Sequence, residues 1–482
     1  MINNMIFLKK IIFIAMSFFM VIYFSYFSSN LNFIALLFPF SLIMIAFLLF
    51  HPKILGCLFI LSTVEFVGFI NPEEFIRLPG VFKFRDLLFL MMMTMVIADS
   101  LLKGWYRIKL DYFSVRIKFI VWSMLGLVFF QLIFTSLRFD LPFISSLKIA
   151  REFLYVAVFF FFIRFFPDYK DTIRLLKFIS YICVIQFVSM IMQIVGFDIG
   201  STSRVDQLLV GGEYVTRVYI PAYFYALAAA CYCFVSLMVG NVASKRYVTF
   251  VLIISILSIV LSYTRTYWVS LLVCFLILMF LLNKKNAIRM LLYGLILFIL
   301  LIPISLVKED SVLADRFSTI FSEIDDTDGN FIYRFSENPQ RLEAFIDYPI
   351  VGPGFIHPDF APTTLGFVID EKGKNEAQIE RALMLQTNDS GLITLLVSFG
   401  LIGVLWVFAQ ILLVIKLAKS IKNRANEILY PYIGIVAFMV ATWLTCTTTY
   451  GFTYYDGIVS MSIALYFLFS ASKLMQKANN QA

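Results

Sequence analysis

Along most of this chain the apolar residues run on without alternation, broken only by short polar segments. A strand pattern would alternate with period two. These continuous runs predict helices long enough to cross a hydrocarbon core of ~30 Å, about twenty residues each. Spans are expected near 8–27, 32–50, 54–70, 84–102, 117–137, 150–166, 177–196, 219–239, 247–262, 266–282, 289–306, 391–415, 429–447 and 454–472. The expected fold class is all-α: a polytopic helical membrane protein with about 14 spans and one large, partly helical outer loop. Three parts follow from this pattern: a membrane domain over 1–306, a loop over 307–390, and a second membrane portion over 391–482.

Composition strengthens the membrane reading. Of 482 residues, 61% are hydrophobic and only 15% charged, too few polar groups to cover a soluble surface. Mean hydropathy is +0.89. The net charge of +8 does not point to nucleic acid, because the basic residues fall in short clusters between apolar runs. Those clusters are His51-Pro52-Lys53, Lys103 to Lys118, Arg164 to Lys177, Lys245-Arg246, Lys284 to Arg289, Lys416 to Arg424, and a tail with Lys473 and Lys477. Their alternation along the chain makes both ends cytoplasmic by the positive-inside rule. Lys9-Lys10 followed by Ile11–Tyr26 resembles a signal sequence, yet no small-residue cleavage site follows, so an uncleaved first span is expected. The six cysteines all lie in apolar segments, and His51 and His357 are the sole histidines. Neither a disulfide framework nor a histidine-rich metal centre is expected.

The segment 307–390 differs in kind. It carries sixteen acidic and seven basic residues, a net of −9, and the span count puts it outside, periplasmic or extracellular. A loop of this length needs helices of its own. One is readable: Asn338-Pro339 as cap and first position, Arg341, Leu342, Phe345 and Ile346 on one face, and Tyr348-Pro349 as the stop. Ile350-Val351-Gly352-Pro353-Gly354-Phe355 follows, and its glycines mark a sharp turn or a close backbone approach. The acidic run Asp325-Asp326-Thr327-Asp328 lacks the spacing and the bidentate glutamate of a calcium loop, so it reads as a solvated turn.

Polar residues at the outer ends of spans are the candidates for chemistry. Arg265, in Ser262-Tyr263-Thr264-Arg265-Thr266-Tyr267-Trp268, falls in a tight turn between two spans. Either it snorkels to headgroups beside its aromatic neighbours, or it holds phosphate bidentately. Arg217 lies just before the span opening at Tyr219, with the same two readings. Asp389 and Ser390 stand where the loop ends and a helix begins; they cap that helix, or Asp389 acts as a general base. Glu65 lies within a span and needs a partner or a cavity, whereas Asp86 and Asp99 lie near span ends, where headgroup contact explains them.

Three of these stretches together resemble the superfamily of O-antigen ligases and Wzy-type O-antigen polymerases. They are Ser262-Tyr-Thr-Arg265-Thr-Tyr-Trp268, the run Arg341-Leu-Glu-Ala-Phe-Ile-Asp-Tyr-Pro349-Ile-Val-Gly352-Pro-Gly354-Phe355, and the loop-end segment, where Ser390 precedes Gly400 and Gly403 in the ligase register. The resemblance covers roughly residues 210–410 in motif detail, and Asp389 stands where a ligase has histidine. It implies a glycosyltransferase that needs neither metal nor other cofactor and uses undecaprenyl-diphosphate-linked sugar at the outer face of the cytoplasmic membrane. Arg217, Arg265, Arg341 and Arg334 are then candidates for the diphosphate, Ser390, Gly352 and Gly354 for the substrate cradle, and Asp389 for activating the acceptor hydroxyl. The missing histidine favours a polymerase of O-antigen or capsule repeat units over a ligase that attaches glycan to lipid or protein. A lipid-linked oligosaccharide flippase is the alternative of another class. The expected partners are the undecaprenyl-diphosphate-linked oligosaccharide and membrane lipid, with a chain-length regulator and a flippase beside the enzyme, and no nucleic acid.

Overall fold

A computed structural model describes residues 47–68, 83–103, 112–197, 205–210, 213–218, 221–239, 244–262, 264–282, 339–367, 379, 383–386, 390–424, 428–447 and 449–481. The expected spans 8–27 and 289–306, and most of 32–50, lie outside the described residues.

The fold is helical, as the apolar runs require. Its helices are α1 Pro52–Thr63, α2 Phe84–Lys103, α3 Tyr112–Arg138, α4 Phe143–Leu154, α5 Val158–Phe165 and α6 Tyr169–Ile194. Then come α7 Tyr223–Val239, α8 Lys245–Leu261, α9 Arg265–Leu281, α10 Pro339–Asp347, α11 Ala361–Leu365, α12 Gly391–Asn423, α13 Tyr432–Leu444 and α14 Tyr455–Gln481. Among the described residues, four segments are long and apolar enough to cross a membrane: Tyr112–Arg138, Tyr169–Ile194, Gly391–Asn423 and Tyr455–Ala478. The helices of α1, α7, α9 and α13 are apolar but shorter.

Two features depart from the expected spans. The stretch 150–166 is not one helix: α4 and α5 meet through a 3-10 turn at Tyr155–Ala157. Between α6 and α7 stands an antiparallel hairpin, β1 Val205–Val210 and β2 Glu213–Val218, paired from Val205 opposite Val218 to Val210 opposite Glu213. In the sequence Gly211-Gly212 separates the two strands, glycine being the residue type that favours a two-residue hairpin loop. The helix read at 339–347 is present as α10.

The helix ends sort onto two faces. On one, Lys53 pairs with Asp171 at 2.6 Å, Arg164 pairs with Asp99, Lys422 donates to the Leu282 carbonyl at 3.1 Å, and Arg424 to that of Met475 at 2.9 Å. This is the basic face. Asp99 thus has a guanidinium partner, where the sequence suggested headgroup contact alone. The other face carries α10, α11 and the start of α12, and is called here the loop face. The main core lies between the two, with α13 and α14 at its centre: every residue from Tyr432 to Trp443 is buried. A second, smaller core (Leu141, Ala344, Ile356, Ala361, Phe367, Leu385 and Val397) joins the loop elements to α12.

Candidate functional site on the loop face

The loop is seated by glycines. Gly400 interrupts α12 with φ +60 and ψ −153, which frees backbone groups in the middle of an apolar helix. The turn after α10 satisfies them: Leu401 N–H donates to the Pro349 carbonyl at 2.9 Å, and Ile402 N–H to that of Ile350 at 3.2 Å. In return, Gly354 N–H donates to the Val397 carbonyl at 2.8 Å. The approach is too close for a side chain. A Cβ on Gly352, whose φ is +74, would lie 2.6 Å from the Val397 carbonyl oxygen and 2.9 Å from Gly400 N. From the far side, α3 adds Gln131 Nε2 to the Gly352 carbonyl at 3.3 Å and accepts Phe355 N–H on Thr135 Oγ1 at 3.1 Å. The glycine-rich turn and the Gly400 motif, separate in sequence, are one joint in space. Gly352 and Gly354 meet protein here: backbone at the first, and the Gln131 and Thr135 side chains at the second.

Arg341 serves the same assembly. It is 1% exposed and donates from Nε to the Met384 carbonyl at 2.9 Å, tying α10 to the last stretch of the loop. Gln386, nearby, donates to the Gly354 carbonyl at 3.0 Å and to Ser398 at 3.3 Å. The loop end is therefore drawn down onto α12. Ser390 caps that helix, accepting Ile393 N–H at 3.4 Å, as its position predicts. Asp389 immediately precedes this cap; it and Arg334 lie outside the described residues.

The start of α12 rests on a turn before α14. Gly391 N–H donates to the Thr449 carbonyl at 2.7 Å, and a Cβ on Gly391 would strike the Tyr450 carbonyl. Tyr450 packs edge-on against Phe224 at the start of α7, 5.4 Å between centroids. Its neighbour Tyr223 stacks on Tyr267 at 3.6 Å and 11°, two residues beyond Arg265, the first residue of α9. The turn into α9 is tight, as expected, and is held by Trp268 Nε1 donating back to the Ile259 and Val260 carbonyls at 3.1 Å. Arg217 stands on β2 opposite Asp206, where the sequence had placed it only as lying just before the span opening at Tyr219. An aromatic series thus links the starts of α7 and α9 to the start of α12.

Beside this series lies a buried charge cluster that sequence reasoning missed. Arg85, Asp86 and Asp456 are only 4–5% exposed, so each charge requires compensation inside the protein. Asp86 accepts from the Tyr155 hydroxyl, pairs with Arg151 at 3.4 Å and accepts Lys83 N–H at 2.7 Å. Arg85 lies 3.5 Å over the Tyr455 ring, a cation–π contact strengthened by desolvation. The Tyr455 hydroxyl donates to Glu65 at 3.3 Å. Asp456 accepts from Tyr450 at 3.0 Å and from Gly457 N–H at 2.8 Å. Glu65 therefore gains a partner, and Asp86 is an interior anchor, not a headgroup contact. Glu65, Phe66 and Val67 all have positive φ (50, 47 and 65), a conformation costing ~1–3 kcal/mol per non-glycine residue. The surrounding contacts hold it and aim Glu65 at Tyr455. One signal in the sequence marked this cluster: Arg85, Arg151, Glu152 and Asp456 all fall at ends of apolar runs that the span count assigns to one membrane level.

Among the described residues, no group of His, Cys, Asp and Glu side chains is placed to hold a metal ion. The chemistry on offer is that of arginines, carboxylates and tyrosine hydroxyls at the mouth of a helical bundle. Residues 250–408 match the family model described as O-antigen ligase. The match takes in most of α8, all of α9, α10 and α11 and the first half of α12, and so includes Arg265, Arg341, Gly352, Gly354 and Ser390. No curated protein matches the chain.

Proposed function

We propose that the chain, whose residues 250–408 match the O-antigen ligase family model, is a membrane enzyme that transfers glycosyl groups and polymerises polysaccharide. In this reading it joins undecaprenyl-diphosphate-linked repeat units of O-antigen or capsule at the outer face of the cytoplasmic membrane. Two things support the proposal: the 341–355 run meets the loop-end segment at Gly400, within α12, and the sequence has Asp389 in place of the ligase histidine. Asp389 takes the proton of the acceptor hydroxyl, and that oxygen bonds to the anomeric carbon of the donor. The bond from this carbon to the phosphate oxygen breaks, and undecaprenyl diphosphate leaves with the electron pair. Arg217 and Arg265 take up the charge developing on the diphosphate, a stabilisation worth several kcal/mol in a water-poor site, and no step is assigned to a metal. Arg334 belongs to the same cationic set, while Arg341, Gly352, Gly354 and Ser390 act by fixing the loop over the groove.

A chromosomal deletion separates the readings. Loss of long chains with retention of a single repeat on the surface acceptor is the polymerase outcome. Lipid-linked polymer accumulating without any surface attachment marks a ligase, and repeat units trapped on the inner leaflet mark a flippase; either result contradicts the proposal. Complementation with Arg265→Ala or Asp389→Asn is expected to lower chain extension by at least ~10²-fold, the scale of removing one transition-state contact or a general base.

A further inference from the structure

On the basic face, away from the loop-face site, a cavity of about 750 Å³ opens between α6, α7, α8 and α13. It follows α6 from Tyr169 to Tyr181, a length of ~18 Å at 1.5 Å per residue. One leaflet of a ~30 Å hydrocarbon core is about 15 Å deep, so the cavity has the reach of a single leaflet. Its walls are of two kinds. Ile179, Ala228, Ala229 and Ile435 make an apolar slot, whereas Lys177, Ser244 and Tyr247 make a polar rim. The Tyr247 hydroxyl is buried at this rim, beside Ser180.

Among the described residues that line the cavity, Lys177 is the one with a full charge. Lys177 is exposed, and Lys245 and Arg246, exposed in the first turn of α8, lie between the rim residues Ser244 and Tyr247. The nearby carboxylate of Asp171 is already engaged by Lys53 at 2.6 Å and by Arg174 at 3.3 Å. An apolar slot of leaflet depth beside exposed cations is complementary to a phosphate head with an aliphatic tail. By the positive-inside rule this face is cytoplasmic.

We propose that the cavity binds an anionic phospholipid of the cytoplasmic leaflet. One acyl chain lies between α6, α7 and α13, the phosphate sits among Lys177, Lys245 and Arg246, and the Tyr247 hydroxyl donates to the head region. The site is independent of the glycosyl-transfer reading, whose lipid head belongs at the opposite face.

The test uses the delipidated full chain, titrated with dioleoylphosphatidylglycerol or dioleoylphosphatidylcholine and read by native mass spectrometry. Retention of phosphatidylglycerol is expected to exceed that of phosphatidylcholine by about tenfold or more, at roughly a factor of five per nearby cation. The double reversal Lys177→Glu and Lys245→Glu, at exposed positions, is expected to abolish that preference without changing the melting temperature or phosphatidylcholine retention. Ala229→Trp, which fills the slot, lowers retention of both lipids. Equal retention of the two lipids by the wild type, or an unchanged preference in the double reversal, overturns the proposal. So does displacement of phosphatidylglycerol by an equal concentration of undecaprenyl phosphate.

Discussion

At Gly352 the backbone of the loop and that of α12 come closer than any side chain permits, and this contact decides where the loop sits. The hypothetical Cβ lies 2.6 Å from one carbonyl oxygen and 2.7 Å from the next, at φ +74. Gly352→Ala therefore combines left-handed strain with overpacking and is expected to cost about 3 kcal/mol. Gly126→Ala provides the contrast: on α3 nothing lies within 4 Å of the added methyl, and alanine's better helix propensity predicts a gain of up to ~1 kcal/mol. Thermal unfolding of the two variants in detergent checks the pair, and equal shifts would mean that the joint at Gly400 bears no load. The glycines were legible as a turn, because two within three residues rarely mean anything else. Their counterpart at Gly400 was legible only as a motif position, since spacing along one chain cannot reveal that two bends interlock.

Between residue and fold, the elements divide by how local their cause is. Helices such as α2, α3 and α12 begin within a few residues of the predicted limits because the apolar run alone determines them. The break between α4 and α5 has no proline or glycine to announce it; it follows from Arg151 and Tyr155 reaching Asp86, a contact made across 65 or more residues. The hairpin is the opposite case. Val205-Asp206-Gln207-Leu208 and Tyr214-Val215-Thr216 flank Gly211-Gly212, a readable turn signal, masked by the expectation that only helices occur in so apolar a chain. Its register is testable. Gln207 and Thr216 are opposite partners, with the Cα separation of ~4.5–5.5 Å that a disulfide accepts. In a cysteine-free background, Gln207→Cys with Thr216→Cys is expected to cross-link on mild oxidation, and Gln207→Cys with Val218→Cys is not. Cross-linking of the second pair alone would refute the register.

For the whole molecule, the sequence conveyed the two-faced plan better than the site. Basic clusters alternate along the chain, and the structure gathers Lys53, Arg164, Lys422 and Arg424 on the face opposite the loop. The candidate site was legible only in part. Arg217, Arg265 and Ser390 stood out as polar residues at span ends, but the Arg85, Asp86 and Asp456 cluster is assembled from α2 and α14, about three quarters of the chain apart. Folding thus brings charges from distant parts of the chain together. The proposed activity is polymerisation at the loop face. Its most direct measurement is chain extension by the purified protein in lipid, supplied with the native undecaprenyl-diphosphate repeat unit alone. The account predicts a ladder of lengthened products with the wild type and none with Arg265→Ala or Asp389→Asn; a ladder that persists in both variants, or a wild type that never extends the unit, contradicts it.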